Sequence, residues 1–261
     1  MATLDVNGTT IGYDTVDGDG VPVLLFHGTT MNRTAWDMPL AALPGDVRPP
    51  LVKIEFPGSG ESSMPAAPLT VDDLVDQAVA VMDGLGHARF HVAGYSLGAV
   101  IAAATAAAAP DRLASATLLC GWTVADERMR FTFDLWRRLI EASPDLFMRY
   151  AVADGFTAEA IAGLAPMLDD VIALGASTLA PGSAAHLELD ISLDISDRVA
   201  SITAPTLVIG AEHDRWVDVR HSRTLAEQIP GARLEVLPAG HLVIQERAGD
   251  VATLLASQLT R

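Results

Sequence analysis

A single cysteine, Cys120, stands in a chain of 261 residues. No disulfide can close within the chain, so the core must hold the fold, and a reducing compartment fits. Lysine is as scarce, with Lys53 alone, and 17 basic residues face 33 acidic ones for a formal charge of −16. A field of that sign repels phosphate backbones and anionic membranes. Nucleic acid is therefore not an expected partner, and the charge reads mainly as solubility. Long apolar runs are missing too: Ala99–Ala109 is alanine-rich and too short to span a bilayer. The opening MATLDVNGTT has neither the basic nor the apolar region of a signal peptide. The expectation is a soluble, cytoplasmic protein with no membrane partner, and a homodimer stays open. Core-forming residues are abundant. Half the chain is hydrophobic, and a chain this long buries roughly three-quarters of its unfolded surface without staples.

Two alternating segments, Leu4–Val6 and Thr10–Thr15, flank Asn7-Gly8 and predict a hairpin. The pattern then changes to short apolar runs: Val21–Phe26, Leu51–Phe56, Phe90–Ala93, Ala116–Leu119, Pro205–Ile209 and Arg233–Leu237. Such runs read as strands buried on both faces of a parallel sheet. Helical stretches separate them. Val71–Leu85 has Thr70 as N-cap and Asp72-Asp73 in its first turn, and Ser96–Ala109 ends at Pro110. This alternation predicts a doubly wound α/β fold, a mostly parallel twisted sheet with helices on both faces. Between Trp122 and Ser201 the rhythm breaks, and only helical patterns occur: Asp126–Glu141, Pro144–Ala153, Pro166–Leu179 and Ala184–Leu189. The expected organisation is a core of residues 1–121 and 202–261, with residues 122–201 inserted after the sixth strand.

Gly94-Tyr95-Ser96-Leu97-Gly98 lies between a predicted strand and a predicted helix. A turn this tight needs small residues two before and two after its centre, and it lifts the serine Oγ above the sheet at a helix N-terminus. The free N–H groups and dipole there suit a developing oxyanion. The plain alternative is a tight turn with no chemistry. A serine needs a base, and His241, on the loop after the last strand, is the histidine best placed to serve; His213 is its rival. The orienting acid should end an earlier strand, which points to Asp214, with Glu212 as the alternative; Asp126 and Glu127, just after the sixth strand, remain further ones. The oxyanion hole is assigned to the N–H groups of Leu97 and Thr29, the latter on the His27-Gly28-Thr29-Thr30 loop.

These features together resemble the α/β-hydrolase superfamily over essentially the whole chain. His27-Gly28, Phe56-Pro57-Gly58-Ser59-Gly60-Glu61-Ser62, the Gly94–Gly98 elbow, Pro205–Asp214 and Gly240-His241 fall in the family's order, with the nucleophile, acid and base in the sequence Ser96, Asp214, His241. In size and segment order the chain looks like the small single-cap esterases, enol-lactonases and carbon–carbon bond hydrolases. The resemblance implies that residues 122–201 form a helical cap, and that no metal or cofactor takes part. Glu55 departs from the family's usual aspartate and is expected to be structural. A serine at the elbow sets aside the dehalogenase and epoxide-hydrolase branches, which use aspartate there.

The resemblance implies hydrolysis of a carboxylic ester or lactone of a small, lipophilic molecule through an acyl-enzyme on Ser96. A carbon–carbon bond hydrolase and a cofactor-free perhydrolase would use the same triad, although Thr29 replaces the aromatic residue usual in the latter. A ligand receptor on the same fold is the alternative of another class. Tyr95, Trp122, Trp136 and Trp216 are expected at the substrate pocket. Met129, Phe133, Trp136 and Ile140 form a helical stripe that reads first as packing. Arg33, Arg137, Arg138, Arg149 and Arg215 are candidate partners for a substrate carboxylate, and the sequence does not decide between a neutral and an anionic substrate. All four catalytic elements lie outside residues 122–201, so the insertion is expected to govern substrate scope rather than chemistry.

Overall fold

The computed structural model describes residues 2–260. β1 (Ala2–Val6) and β2 (Thr9–Val16) form the expected antiparallel hairpin, whose two turn residues, Asn7 and Gly8, both adopt positive φ. β2 then pairs antiparallel with β4 (Leu51–Ile54). The other strands are β3 (Val23–Phe26), β5 (Phe90–Tyr95), β6 (Leu113–Leu119), β7 (Thr206–Ala211) and β8 (Arg233–Leu237), and all pair in parallel. The sheet order is β1-β2-β4-β3-β5-β6-β7-β8.

The strand alternation divides the core in two. In β3, Leu24 and Phe26 face one cluster, while Val23 and Leu25 face the other. Every residue of β3, β5 and β7 is buried, which explains their unbroken apolar runs. α1 (Asp37–Ala41) is a short helix that the sequence reading did not anticipate. α2 (Val71–Gly84) begins where Thr70 Oγ1 caps the Asp73 N–H, and it buries Val71, Leu74, Val75, Ala78, Val81 and Met82 at helical spacing. α3 (Leu97–Ala108) starts directly from Ser96 and is apolar on nearly all sides because it is buried on nearly all sides.

Five helices lie between β6 and β7: α4 (Glu127–Ala142), α5 (Pro144–Gly155), α6 (Ala158–Leu164), α7 (Leu168–Ser177) and α8 (Ser183–Ser192). The expected helix over Pro166–Leu179 is instead α7 preceded by a 3-10 turn at Ala165–Met167, with α6 before it. One isolated bridge, Val124 with Asp194, closes the base of the insertion. α9 (Val219–Gln228), α10 (Val243–Glu246) and α11 (Ala248–Leu259) complete the chain.

The stretch Ala158–Ser177 has a mean hydropathy of 1.4 and only 6% of it is buried. By length and composition it could cross a bilayer, a feature that the sequence analysis does not identify. Asp169 and Asp170 lie within it, and each acid at a bilayer centre costs about 3 kcal/mol.

The insertion is joined to the core by backbone contact. Gly58 and Gly182 pack so closely that a Cβ on Gly182 would stand 2.7 Å from the Gly58 Cα, and the Gly182 N–H donates to the Gly58 carbonyl at 2.8 Å. Gly182→Ala should therefore wedge the two apart, costing about 1–3 kcal/mol. A thermal melt should show Tm falling by about 2–10 °C, while Gly163→Ala, which meets open space, should not lower it.

Candidate active site

Ser96, Thr29, Asp214 and His241 follow β5, β3, β7 and β8 respectively, so all four sit beyond the carboxyl ends of parallel strands. The Ser96 backbone is strained, with φ 56° and ψ −122°. Small neighbours are obligatory there. A Cβ on Gly94 would meet the Gly98 carbonyl oxygen at 2.0 Å, and one on Gly98 would meet the Phe26 carbonyl oxygen at 2.4 Å. The second contact brings β3 and its following loop against the elbow.

His241 Nε2 stands 3.0 Å from Ser96 Oγ, and its Nδ1 stands 2.6 Å from Asp214 Oδ2. All three side chains are buried. Because a carboxylate only accepts, Nδ1 carries the proton and the Nε2 lone pair faces the serine hydroxyl. Asp214 is fixed in turn, its Oδ1 accepting the N–H groups of Trp216 and Val217 at 2.8 Å each. Tyr95 OH donates to the His241 carbonyl at 2.9 Å, and the Trp216 ring packs 4.9 Å from the imidazole.

The open alternatives are now separated. Glu212 and His213 are exposed. Asp126 caps α4 through the Met129 N–H and binds Arg220 and His221, and exposed Glu127 pairs with Arg130. The ligand atoms of Cys120, Asp214 and His241 lie within 4.8 Å of one another. Burial, then the Asp214 charge, pushes the Cys120 thiol well above its usual range, which keeps it from acting as a rival nucleophile.

The oxyanion assignment has a physical basis in one peptide unit. The Gly28 carbonyl accepts from the Met31 N–H at 3.2 Å and from His27 Nδ1 at 2.8 Å. His27 Nε2 accepts from the Phe56 N–H at 3.1 Å. Burial holds the His27 pKa down to about 3, so the ring stays neutral with one donor and one acceptor. Pinning that carbonyl turns the Thr29 N–H of the same peptide to the opposite side. Among the described residues neither the Thr29 nor the Leu97 N–H has a protein acceptor. Gly28 lets this loop approach, since a Cβ there would lie 3.3 Å from the Ser96 Cβ.

A cavity of about 310 Å³ opens above Ser96 and His241. Tyr95, Trp136 and Trp216 line it. Trp122 does not. It is fully buried beneath α4, packed 5.8 Å from Phe133, because the chain turns inward after β6 before the insertion rises. Only Trp136 of the α4 stripe reaches the cavity; Met129 and Phe133 are core. Sequence reasoning missed Met31, Asn32, Phe156, Leu174, Leu242 and Gln245, which come from four separate segments and share no local pattern. None of the five candidate arginines lines the cavity: Arg33 binds buried Glu55 at 2.6 Å, and the others pair with Asp134, Asp145, Asp169 or Asp154. Glu55 also accepts the Glu61 N–H and so braces the turn, as a structural residue would.

Residues 21–248 match the family model described as the alpha/beta hydrolase fold. The chain belongs to the α/β-hydrolase family. This α/β hydrolase is 30% identical over 266 residues to a pyrrolizixenacetamide deacetylase from Xenorhabdus hominickii, covering 99% of this chain and 98% of the relative. Among solved structures it is similar to the enol-lactonase from Burkholderia xenovorans LB400, with a TM-score of 0.87, 24% identity and complete coverage of both chains. A thermophilic esterase from Thermogutta terrifontis gives a TM-score of 0.83 at 23% identity, covering 99% of this chain and 96% of that one. Both structures show the shared fold.

The hydrogen bonds around Asp214 generate a direct comparison. Asp214→Asn should lower kcat for an aryl acetate by about 10⁴-fold, since the amide can hold the imidazole in the wrong tautomer. Glu212→Gln, exposed and outside the network, should stay within twofold of wild type by the same assay.

Proposed function

We propose that this α/β hydrolase is a serine hydrolase acting on a small, neutral, lipophilic carboxylic ester or lactone through an acyl-enzyme on Ser96. The observation that carries this reading is the bonded Ser96–His241–Asp214 array at the floor of a cavity that, among the described residues, has no Asp, Glu, Lys or Arg in its lining. His241 takes the Ser96 proton as Oγ attacks the carbonyl carbon, and Asp214 stabilises the imidazolium. The Thr29 and Leu97 N–H groups receive the oxyanion. His241 then protonates the leaving oxygen, and water resolves the acyl-enzyme by the same steps. Residues 122–201 act as the cap: Trp136, Phe147, Met148, Val152, Leu174 and Leu179 supply the apolar wall.

The name of the deacetylase relative favours one second reading, in which the scissile bond is an amide. The same array serves it, with His241 protonating a leaving nitrogen. Release of acetate from an N-aryl acetamide against the matching aryl acetate compares the two.

Two outcomes test the proposal. Ser96→Ala should lose about 10⁴–10⁶ in kcat, and a fluorophosphonate should label Ser96 in the wild type, with labelling suppressed in His241→Ala. Retention of a tenth of wild-type turnover by folded Ser96→Ala overturns the nucleophile. On substrate charge, p-nitrophenyl butyrate should exceed the similarly sized mono-p-nitrophenyl succinate in kcat/KM by at least about tenfold, because an unpaired carboxylate is costly to desolvate. A preference for the succinate overturns the neutral-substrate reading.

A further inference from the structure

Asp190, on α8 of the insertion, is a fully buried acid with no cationic partner among the described residues. Its Oδ2 accepts a hydrogen bond from Thr29 Oγ1 at 2.7 Å, and its Oδ1 is sealed from solvent without a partner. Packing alone would be better served by a leucine, because a buried polar atom without a partner is destabilising. The contact it makes is with the residue whose N–H is assigned to the oxyanion hole. That residue stands in a strained loop: the next one, Thr30, is β-branched and has φ 67°. The insertion holds this loop at a second point, where the Ala180 N–H donates to the Thr30 carbonyl at 3.0 Å.

We propose that Asp190 is a positioning residue for the oxyanion hole, holding Thr29 by its hydroxyl so that its N–H faces the carbonyl oxygen attacked by Ser96. The inference rests on the serine-hydrolase reading above and adds the insertion to its machinery. His27 fixes the peptide from the Gly28 side, and Asp190 fixes it from the Thr29 side. Asp190 does not touch substrate and acts through Thr29 alone.

The surroundings add a pH signature. Burial raises the Asp190 pKa to about 8, against a smaller opposing effect of the Thr29 hydrogen bond. The titratable groups near it are neutral or turned away. His186, one turn earlier on α8, donates Nε2–H to the Pro57 carbonyl and is held down to about 4 by burial. His27, beneath the loop, is neutral. Arg130 of α4 bonds the Ile191 carbonyl and pairs with Glu127. Asp190 is thus protonated at neutral pH and ionises as pH rises through about 8. A negative charge one residue from the oxyanion opposes its formation, so kcat falls in that range. The linkage sign follows. Above about pH 4 the unfolded carboxyl is ionised while the folded one keeps its proton, so folding takes up a proton and stability declines as pH rises from about 4 to 8.

The test measures p-nitrophenyl butyrate turnover from pH 6 to 9.5 for wild type, Thr29→Val, Asp190→Asn and Asp190→Leu. Thr29→Val keeps shape and N–H but loses the hydroxyl, so kcat should fall 10- to 100-fold with KM within threefold. Asp190→Leu should do the same, and the double variant should be no worse than either. Asp190→Asn, an uncharged isostere, should keep at least half of kcat at pH 7 and lose the alkaline decline. Its unfolding free energy should also lack the decline between pH 4 and 8. If Asp190→Leu does not fold, Thr29→Val carries the kcat comparison. An active wild type whose Thr29→Val variant matches it in kcat, or whose alkaline limb persists in Asp190→Asn, overturns the role of Asp190 and leaves the Ser96 reading intact. A wild type with neither turnover nor a fluorophosphonate adduct overturns both.

Discussion

A serine held at φ 56° is the constraint around which the rest of the site is arranged. Such a conformation costs about 1–3 kcal/mol and persists only where its surroundings over-determine it. Here β5 is paired on both sides, the Ser96 N–H donates to the Leu119 carbonyl at 2.8 Å, and α3 begins at the next residue. The two flanking glycines allow backbone to touch backbone. That contact brings the Thr29 loop within reach of Ser96 and leaves the Leu97 N–H free at the helix start.

The second dependence runs through a histidine with no acid–base part to play. His27 bonds the Gly28 carbonyl with one nitrogen and the Phe56 N–H with the other, tying the loop after β3 to the turn after β4. That turn is where the insertion lands: His186 bonds the Pro57 carbonyl, and Gly182 packs on Gly58. Backbone of the insertion also grips the loop that carries Thr29, through the Ala180 N–H on the Thr30 carbonyl, so the two parts share one hydrogen-bonded seam.

Charge is partitioned with the same economy. The chain carries −16 overall, yet among the described residues no Asp, Glu, Lys or Arg lines the cavity. Arginines that could have faced a substrate are engaged by carboxylates, several of them at helical spacing on α4 and α5. Asp190, behind the Thr29 loop, has its pKa raised to about 8 by burial. In the proposed mechanism, electrostatic preorganisation falls to backbone N–H groups and to the Asp214–His241 pair.

Local rules were enough for the strands, the hairpin, α2 and the elbow, because each is written in a window of a few residues: a period of two, a capping threonine, glycines two apart from a serine. Chain order was enough to propose Ser96, Asp214 and His241, since strand ends on a parallel sheet converge at one edge. It could not separate Asp214 from Glu212 or Asp126, because burial and the direction of a carboxylate depend on packing that no short window contains. Trp122 was misplaced for the same reason: a tryptophan after a strand can face a cavity or the core, and the turn of the chain after β6 put it in the core. The cavity wall draws on segments from Gly28 to Gln245. Asp190 meets Thr29 across 161 positions of sequence. Propensity and periodicity are properties of neighbours along the chain. Which side chains are desolvated together, and therefore which charges and hydrogen bonds matter, was decided only when the insertion closed on the sheet.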